Sequence, residues 1–207
     1  MKKAVLICLI LVSFFGKAQS DSIAYSHEYD FKEGIYLSYS DFKHNHPIPV
    51  SAIVLNYPKT QLDFLTEVMK QKNIVFKDES GNDHKLETYS IWGYCRNHSI
   101  YINYLGQFNK LMVIGTLCHF NATVTRYLVA PDPMGMNSTY EEMHQFVYDT
   151  NTNKAFEFDV PSMELLLKKD DELYAKFMGL KKREKADAIF VFLRKYNERH
   201  LLYLYDK

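Results

Sequence analysis

The stretch that decides the fold is Ile100-Tyr101-Ile102-Asn103-Tyr104, followed by the turn signal Gly106-Gln107 and the apolar run from Leu111 to Phe120. The first five residues are β-branched or aromatic at nearly every position, and such side chains suit a pleated, half-buried surface. Gly106-Gln107 punctuates the chain. The run Leu111 to Phe120 is continuous and apolar, which predicts one strand buried on both faces.

Working outward, the same period of two covers residues 73–160. Ile74-Val75-Phe76 reads as a strand, and Asp78-Glu79-Ser80-Gly81-Asn82-Asp83 as the turn after it. The run Leu86 to Cys95 predicts another strand, with Arg96-Asn97-His98 turning the chain into the central stretch. Thr123 to Val129 predicts a further strand, and residues 131–139, with Pro131, Pro133 and Gly135, a loop. Gln145-Phe146-Val147-Tyr148 and Ala155-Phe156-Glu157-Phe158 flank a polar turn and read as a hairpin. Hairpin-length links of this kind predict an antiparallel meander.

Helices frame the meander. Ser38 to Asn45 predicts one or two turns capped by Ser38 or Ser40, stopped by Pro47 and Pro49. Thr60 to Lys72 predicts the first clear helix, with Thr60 and Asp63 as a capping box and Leu62, Leu65, Val68 and Met69 on one face. After Pro161 come a short helix to Leu167 and a second, capped by Asp170 and ended by Gly179. A last helix runs from about Lys182 to Arg199, with Ala186, Ile189, Phe190, Leu193 and Tyr196 on its apolar face. The expected fold is α+β: an antiparallel sheet of six to eight strands, able to curl into a partial barrel. One helix precedes it and C-terminal helices pack against it.

The N-terminus predicts export. Met1-Lys2-Lys3 is basic, Ala4 to Phe15 is apolar, and Gly16-Lys17-Ala18 offers small residues for cleavage after Ala18. A spanning helix needs ~20 apolar residues, so a retained anchor is not expected. Cys8 sits inside the apolar run and no cysteine lies near Ala18, which argues against a lipoprotein. Residues 1–18 are therefore expected to leave, and 19–207 to form one domain without a transmembrane segment, periplasmic or secreted.

The full chain has 25 basic and 25 acidic residues; loss of Lys2, Lys3 and Lys17 leaves a net charge near −3. Phosphate binding leans on basic excess, so nucleic acid is not the expected partner. Residues 181–200 hold seven basic and three acidic side chains, which reads first as a solvated helix face.

The chemistry-bearing residues are few. The chain has no G-x-S-x-G, H-E-x-x-H, C-x-x-C or phosphate-binding glycine loop, so no cofactor is expected. His44 and His46 share a loop, but a bound metal would need a third ligand. His119 and His144 are the candidate catalytic residues; His144 lies near Glu141 and Glu142. Trp92-Gly93-Tyr94 places a glycine between two large aromatics. That suits either the close approach of another backbone or an aromatic platform for sugar, peptide or lipid. Trp92 and Tyr94 are thus the candidate binding residues. Cys95 and Cys118 remain after processing. With residues 99–104 as one strand between theirs they would lie ~10 Å apart. A disulfide and two buried free thiols both stay open.

Four segments carry a resemblance: Gly34-Ile35-Tyr36-Leu37-Ser38-Tyr39-Ser40-Asp41-Phe42-Lys43, Ile91-Trp92-Gly93-Tyr94-Cys95, Ile114-Gly115, and Leu193-Arg194-Lys195-Tyr196-Asn197-Glu198-Arg199-His200. In this order they resemble a family of small exported proteins of Gram-negative bacteria without known activity. Leu201 departs from the proline expected after His200. The resemblance implies no site residue. Three functions follow as expectations: an envelope protein that binds a protein or an apolar small molecule without catalysis, an exported enzyme such as a hydrolase, and a structural envelope component.

Overall fold

In chain order the elements are β1 (Ser22–Ala24), β2 (Gly34–Tyr36), α1 (Tyr39–Lys43), β3 (Ile48–Pro49), β4 (Ile53–Val54), α2 (Phe64–Met69), β5 (Asn73–Lys77), β6 (Asp83–Glu87), β7 (Gly93–Arg96), β8 (Ser99–Tyr104), β9 (Gln107–Val113), β10 (Leu117–Tyr127), β11 (Thr139–Asp149), β12 (Lys154–Glu157), α3 (Val160–Leu167), α4 (Asp171–Met178), α5 (Lys182–Arg199) and β13 (Tyr203–Tyr205). The structure, a computed structural model, describes residues 22–127 and 139–205. The expected signal segment and most of the expected loop at 131–139 lie outside the described residues.

Eight strands form one sheet in the order β12-β11-β10-β9-β8-β7-β2-β3, and every pairing is antiparallel. The sheet curls into a half-barrel, as the α+β expectation allowed. Strands β7 to β12 form the expected meander. Two of its turns are built from positive φ: Asn97 (47°) and His98 (55°), then Leu105 (54°) and Gly106 (79°). Paired positive φ values match the twist of the flanking strands, which is why such two-residue loops close hairpins. Strands β4, β5 and β6 make a second sheet, and β1 pairs with β13.

Strand alternation divides the core in three. Tyr36, Cys95, Ile100, Ile102, Leu111, Cys118, Phe120, Phe146 and Tyr148 face one side of the sheet, where Phe42 of α1 and Leu202 and Leu204 beside β13 join them. From the other face, Leu117 and Val147 pack on α3, α4 and α5 through Met163, Leu167, Phe177, Leu193 and Tyr196. Further along that face Ile35 and Tyr94 pack on Phe64, Leu65 and Val68 of α2 and on Ile53 and Ile74 of the small sheet. At ~25 cal/mol per Å² of apolar area removed from water, these three clusters supply the main drive to fold.

Four expectations are corrected. The run Leu111 to Phe120 is not one strand: it holds the end of β9, a turn through Ile114, Gly115 and Thr116, and the start of β10. The turn is enforced from outside. Asn197 of α5 accepts from the Leu117 N–H at 2.8 Å and donates to the Leu117 carbonyl at 2.8 Å, as a neighbouring strand would. A Cβ on Gly115 would lie 2.4 Å from that carboxamide. Beyond the turn, Leu117–Tyr127 is continuous and absorbs the strand expected from Thr123. Leu86 to Cys95 is likewise two strands, split by a short 3-10 turn at Thr88–Ser90.

The helix expected over 60–72 is only Phe64–Met69. Asp63 does not close a capping box, because its carboxylate accepts the Tyr57 hydroxyl at 2.9 and 3.0 Å. Leu62 falls before the helix and is exposed. On α5 the buried face is Lys185, Phe192, Leu193 and Tyr196, so Ala186 is exposed and Phe192 replaces it. The basic charges of that segment are partly consumed within the fold: Lys185 pairs with Glu164 at 2.7 Å and Arg199 with Asp170 at 2.7 Å.

Candidate functional site

Strands β8, β10, β11 and β12 build one aromatic cleft, which Trp92 completes and the short helix α1 backs. Ser38 caps α1: its hydroxyl accepts the Asp41 N–H at 3.1 Å, and the Asp41 carboxylate accepts the Ser38 N–H at 2.8 Å. This reciprocal cap fixes a five-residue helix and so fixes where Tyr39, Phe42 and Lys43 stand. The Phe42 ring stacks on the Trp92 indole with centroids 4.5 Å apart. Tyr36 meets the same indole edge-on at 6.5 Å, and Tyr148 at 6.3 Å. Such pairs contribute about 0.5–1.5 kcal/mol each beyond burial, so the indole is held in one pose.

The Trp92 Nε1–H donates to the Tyr148 hydroxyl at 3.1 Å, and that hydroxyl donates to Oδ1 of Asn153 in the turn after β11. Around this relay a cleft of about 310 Å³ opens, lined by Trp92, Ile102, Asn103, Tyr104, Phe120, Tyr148, Asn153 and Ala155. Trp92 and Tyr104 are half-buried, so parts of both rings face the opening. Phe146 backs Tyr104 at 4.6 Å and Phe120 at 5.5 Å. Asn103 is spent on the scaffold: it donates to the carbonyls of Tyr89 and Ile91 and accepts the Gly106 N–H. Among the described residues no acid, amine, imidazole or thiol lines the cleft. Burial raises the phenol pKa of Tyr148 and of Tyr104, so neither is poised to ionise. An aromatic wall with a few fixed polar groups suits binding, whereas acid-base chemistry needs groups that titrate near the working pH.

Of the two aromatics proposed for binding, Trp92 lines the cleft and Tyr94 does not. Tyr94 stacks on Tyr101 at 4.7 Å on the opposite face, above α2 and the small sheet. The two aromatics form no common platform, and Gly93 between them receives a backbone: a Cβ there would lie 2.2 Å from the Tyr101 carbonyl oxygen. Cys95 and Cys118 are both buried free thiols. Two strands, β8 and β9, separate theirs, where the sequence suggested one. Burial pushes each thiol up to about 12, which leaves them protonated and unreactive at neutral pH.

His119 and His144 are not brought together. β10 and β11 pair without interruption, His119 opposite Val147 and Ala122 opposite His144, so the two imidazoles leave opposite faces of the ribbon. His119 lies edge-on to Phe158 and Phe190, both at 4.9 Å, and its Nε2 reaches Gln145 Oε1 at 3.2 Å. Burial lowers its pKa, which keeps the ring neutral. His144 lies 2.8 Å from Glu142 and 3.7 Å from Glu157, which in turn pairs with Arg126 at 3.0 Å. That group is a charged tie between β10, β11 and β12. His44 stacks on Tyr205 at 4.9 Å and contacts the Ser40 carbonyl through Nδ1 at 2.7 Å, while His46 is exposed. Among the described residues no three His, Cys, Asp or Glu side chains are arranged to hold a metal ion. Among them, too, no helix is long and apolar enough to cross a membrane.

A family model described as a family of unknown function matches residues 34–200, most of the chain. The chain belongs to the DUF6563 family. No curated protein matches it, and no solved structure does. The span shared with DUF6563 includes every side chain that lines the cleft. It also includes Gly115 and Asn197, two of the residues that carried the family resemblance, here in direct apposition. Tyr104, Phe120, Tyr148 and Asn153 were not legible as site residues, because they converge only through pairing across β8 to β12. Their one signal in sequence is alternation, with Tyr104, Phe120 and Tyr148 each two positions from an inward apolar neighbour.

Proposed function

We propose that this DUF6563 member is an exported, non-enzymatic binding protein of the bacterial envelope that holds a neutral, ring-shaped ligand in the Trp92 cleft. The observation that carries the reading is the relay from Trp92 through Tyr148 to Asn153, set in an aromatic wall to which no described acid, amine, imidazole or thiol contributes. The volume, about 310 Å³, lies at the small end of ligand pockets and suits one or two rings. The apolar face of such a ligand would lie on Trp92 and Tyr104, with the Asn153 carboxamide at the rim. Export rests on the basic start, apolar run and small-residue cleavage site of residues 1–18.

Trp92 is the one tryptophan of the chain, so intrinsic fluorescence reads this cleft alone. Titration with 4-nitrophenyl β-glucoside, which carries an aromatic ring and a sugar ring, is expected to quench it saturably without releasing nitrophenolate. Absence of saturable quenching would contradict the binding reading; steady release of nitrophenolate would favour the enzyme.

A further inference from the structure

A second cavity, of about 580 Å³, lies beside the aromatic cleft. It is lined by Tyr39, Lys43, Thr116, Thr150, Asn151 and Tyr205, with Ser22 and residues 201–203 completing it. Tyr39 stands between the two cavities, its ring 6.1 Å from Tyr148 and 6.0 Å from Trp92. One turn borders both: Asn151 lines the polar cavity and Asn153 the aromatic one.

The chemistry of the polar cavity differs from that of its neighbour. Beside Leu201 and Leu202 its lining is hydroxyls, one carboxamide and one cation, and among the described residues no Asp or Glu joins them. Lys43 is half-buried and lies over the Tyr205 ring at 4.9 Å. Among the described residues it has no ion pair, and two acids that could have served are committed elsewhere. Asp149 is buried and takes Lys169 at 2.7 Å; Asp41 is occupied in the cap of α1. A half-buried ammonium with a cation–π contact and no carboxylate is a ready partner for an anion. The hydroxyls around it match a polyhydroxylated body.

We infer that the two cavities are adjacent subsites of one surface for acidic carbohydrate: a sugar ring lies against Trp92, and the next sugar places a carboxylate at Lys43. The inference rests on the reading of the Trp92 cleft as a binding site. The flat C–H face of a pyranose suits the aromatic wall, and a uronic acid supplies both the hydroxyls and the charge that the polar cavity matches.

The test uses a galacturonic acid disaccharide and its neutral methyl ester, which differ in charge and scarcely in shape, followed by Trp92 fluorescence. The acid is expected to bind about tenfold more tightly than the ester, the size of one charge-assisted hydrogen bond. Lys43→Met should bring the acid to the level of the ester and leave the ester unchanged, whereas Lys43→Arg should keep the preference. Equal affinity for acid and ester, or an acid preference that survives Lys43→Met, overturns the inference. So does binding of 4-nitrophenyl β-glucoside with no response to either disaccharide, and in that case the Trp92 cleft stands as a binding site. Loss of response to all three ligands overturns the cleft reading as well.

Discussion

Asn197 does at one position what a whole strand would otherwise do. Its carboxamide satisfies both backbone groups of Leu117 and locks α5 against the turn that separates β9 from β10. Asn197→Ala leaves a buried N–H and C=O without partners, and should cost about 2–3 kcal/mol in urea-midpoint stability. Gly115→Ala should destabilise comparably, because its new Cβ enters the Asn197 side chain. His119 gives a pH signature. Burial lowers its folded-state pKa, so the unfolded chain binds the proton more readily. Its contribution to stability is therefore complete above about pH 6.5 and is lost as pH falls below that through the folded-state value. His119→Phe should lessen the fall in thermal midpoint between pH 7.5 and pH 5; an equal fall in variant and wild type would rule out this role. Among single residues, Ser38 and Asp170 were legible as caps because capping is local chemistry. The separation of Trp92 from Tyr94 was not: two positions apart they would share a face of one strand, but β7 begins only at Gly93 and Trp92 lies before it.

The β9 strand shows why elements were harder to read than their composition. His119 pairs with Val113, but Phe120 pairs with Leu111, so Met112 is an extra residue on β9. Such a bulge changes the phase of the strand. It sends Val113 towards the helices while Leu111 keeps to the inside of the curl, and it leaves Met112 exposed. An apolar run that changes phase and turns within ten residues looks, in sequence, like one strand buried on both faces. The short α2 was over-read for a related reason: the pattern continued through Leu62, but Asp63 was engaged by Tyr57. Removing that hydroxyl with Tyr57→Phe frees the Asp63 carboxylate to cap. The amide of Thr60 should then gain protection in hydrogen exchange if this competition shortens the helix; unchanged protection would mean that packing alone sets its start. The two hairpins on either side of β8 were legible, since the turns at Asn97-His98 and at Gly106 act over two residues, whereas the β9–β10 turn was hidden in an apolar run.

At the scale of the molecule, one curled sheet carries three cores, and the site lies where its inner face is incompletely filled. The segment around α1 and β13 closes part of that face through Phe42, Leu202 and Leu204. The remainder is the aromatic cleft beside Tyr104, Phe120 and Tyr148. The α+β class and the meander followed from periodicity, whereas the cleft depended on which strands became neighbours. The measurement that tests the cleft most directly is a two-dimensional NMR titration of the 15N-labelled protein with 4-nitrophenyl β-glucoside. Trp92 is the single tryptophan, so one indole N–H signal reports its bond to Tyr148. That signal should move together with the amides of Tyr148, Asn153 and Ala155, while those of Tyr94 and His144 stay in place. Shifts confined to residues 143–145 and 186–190, with a still indole signal, would place the ligand elsewhere and contradict the account.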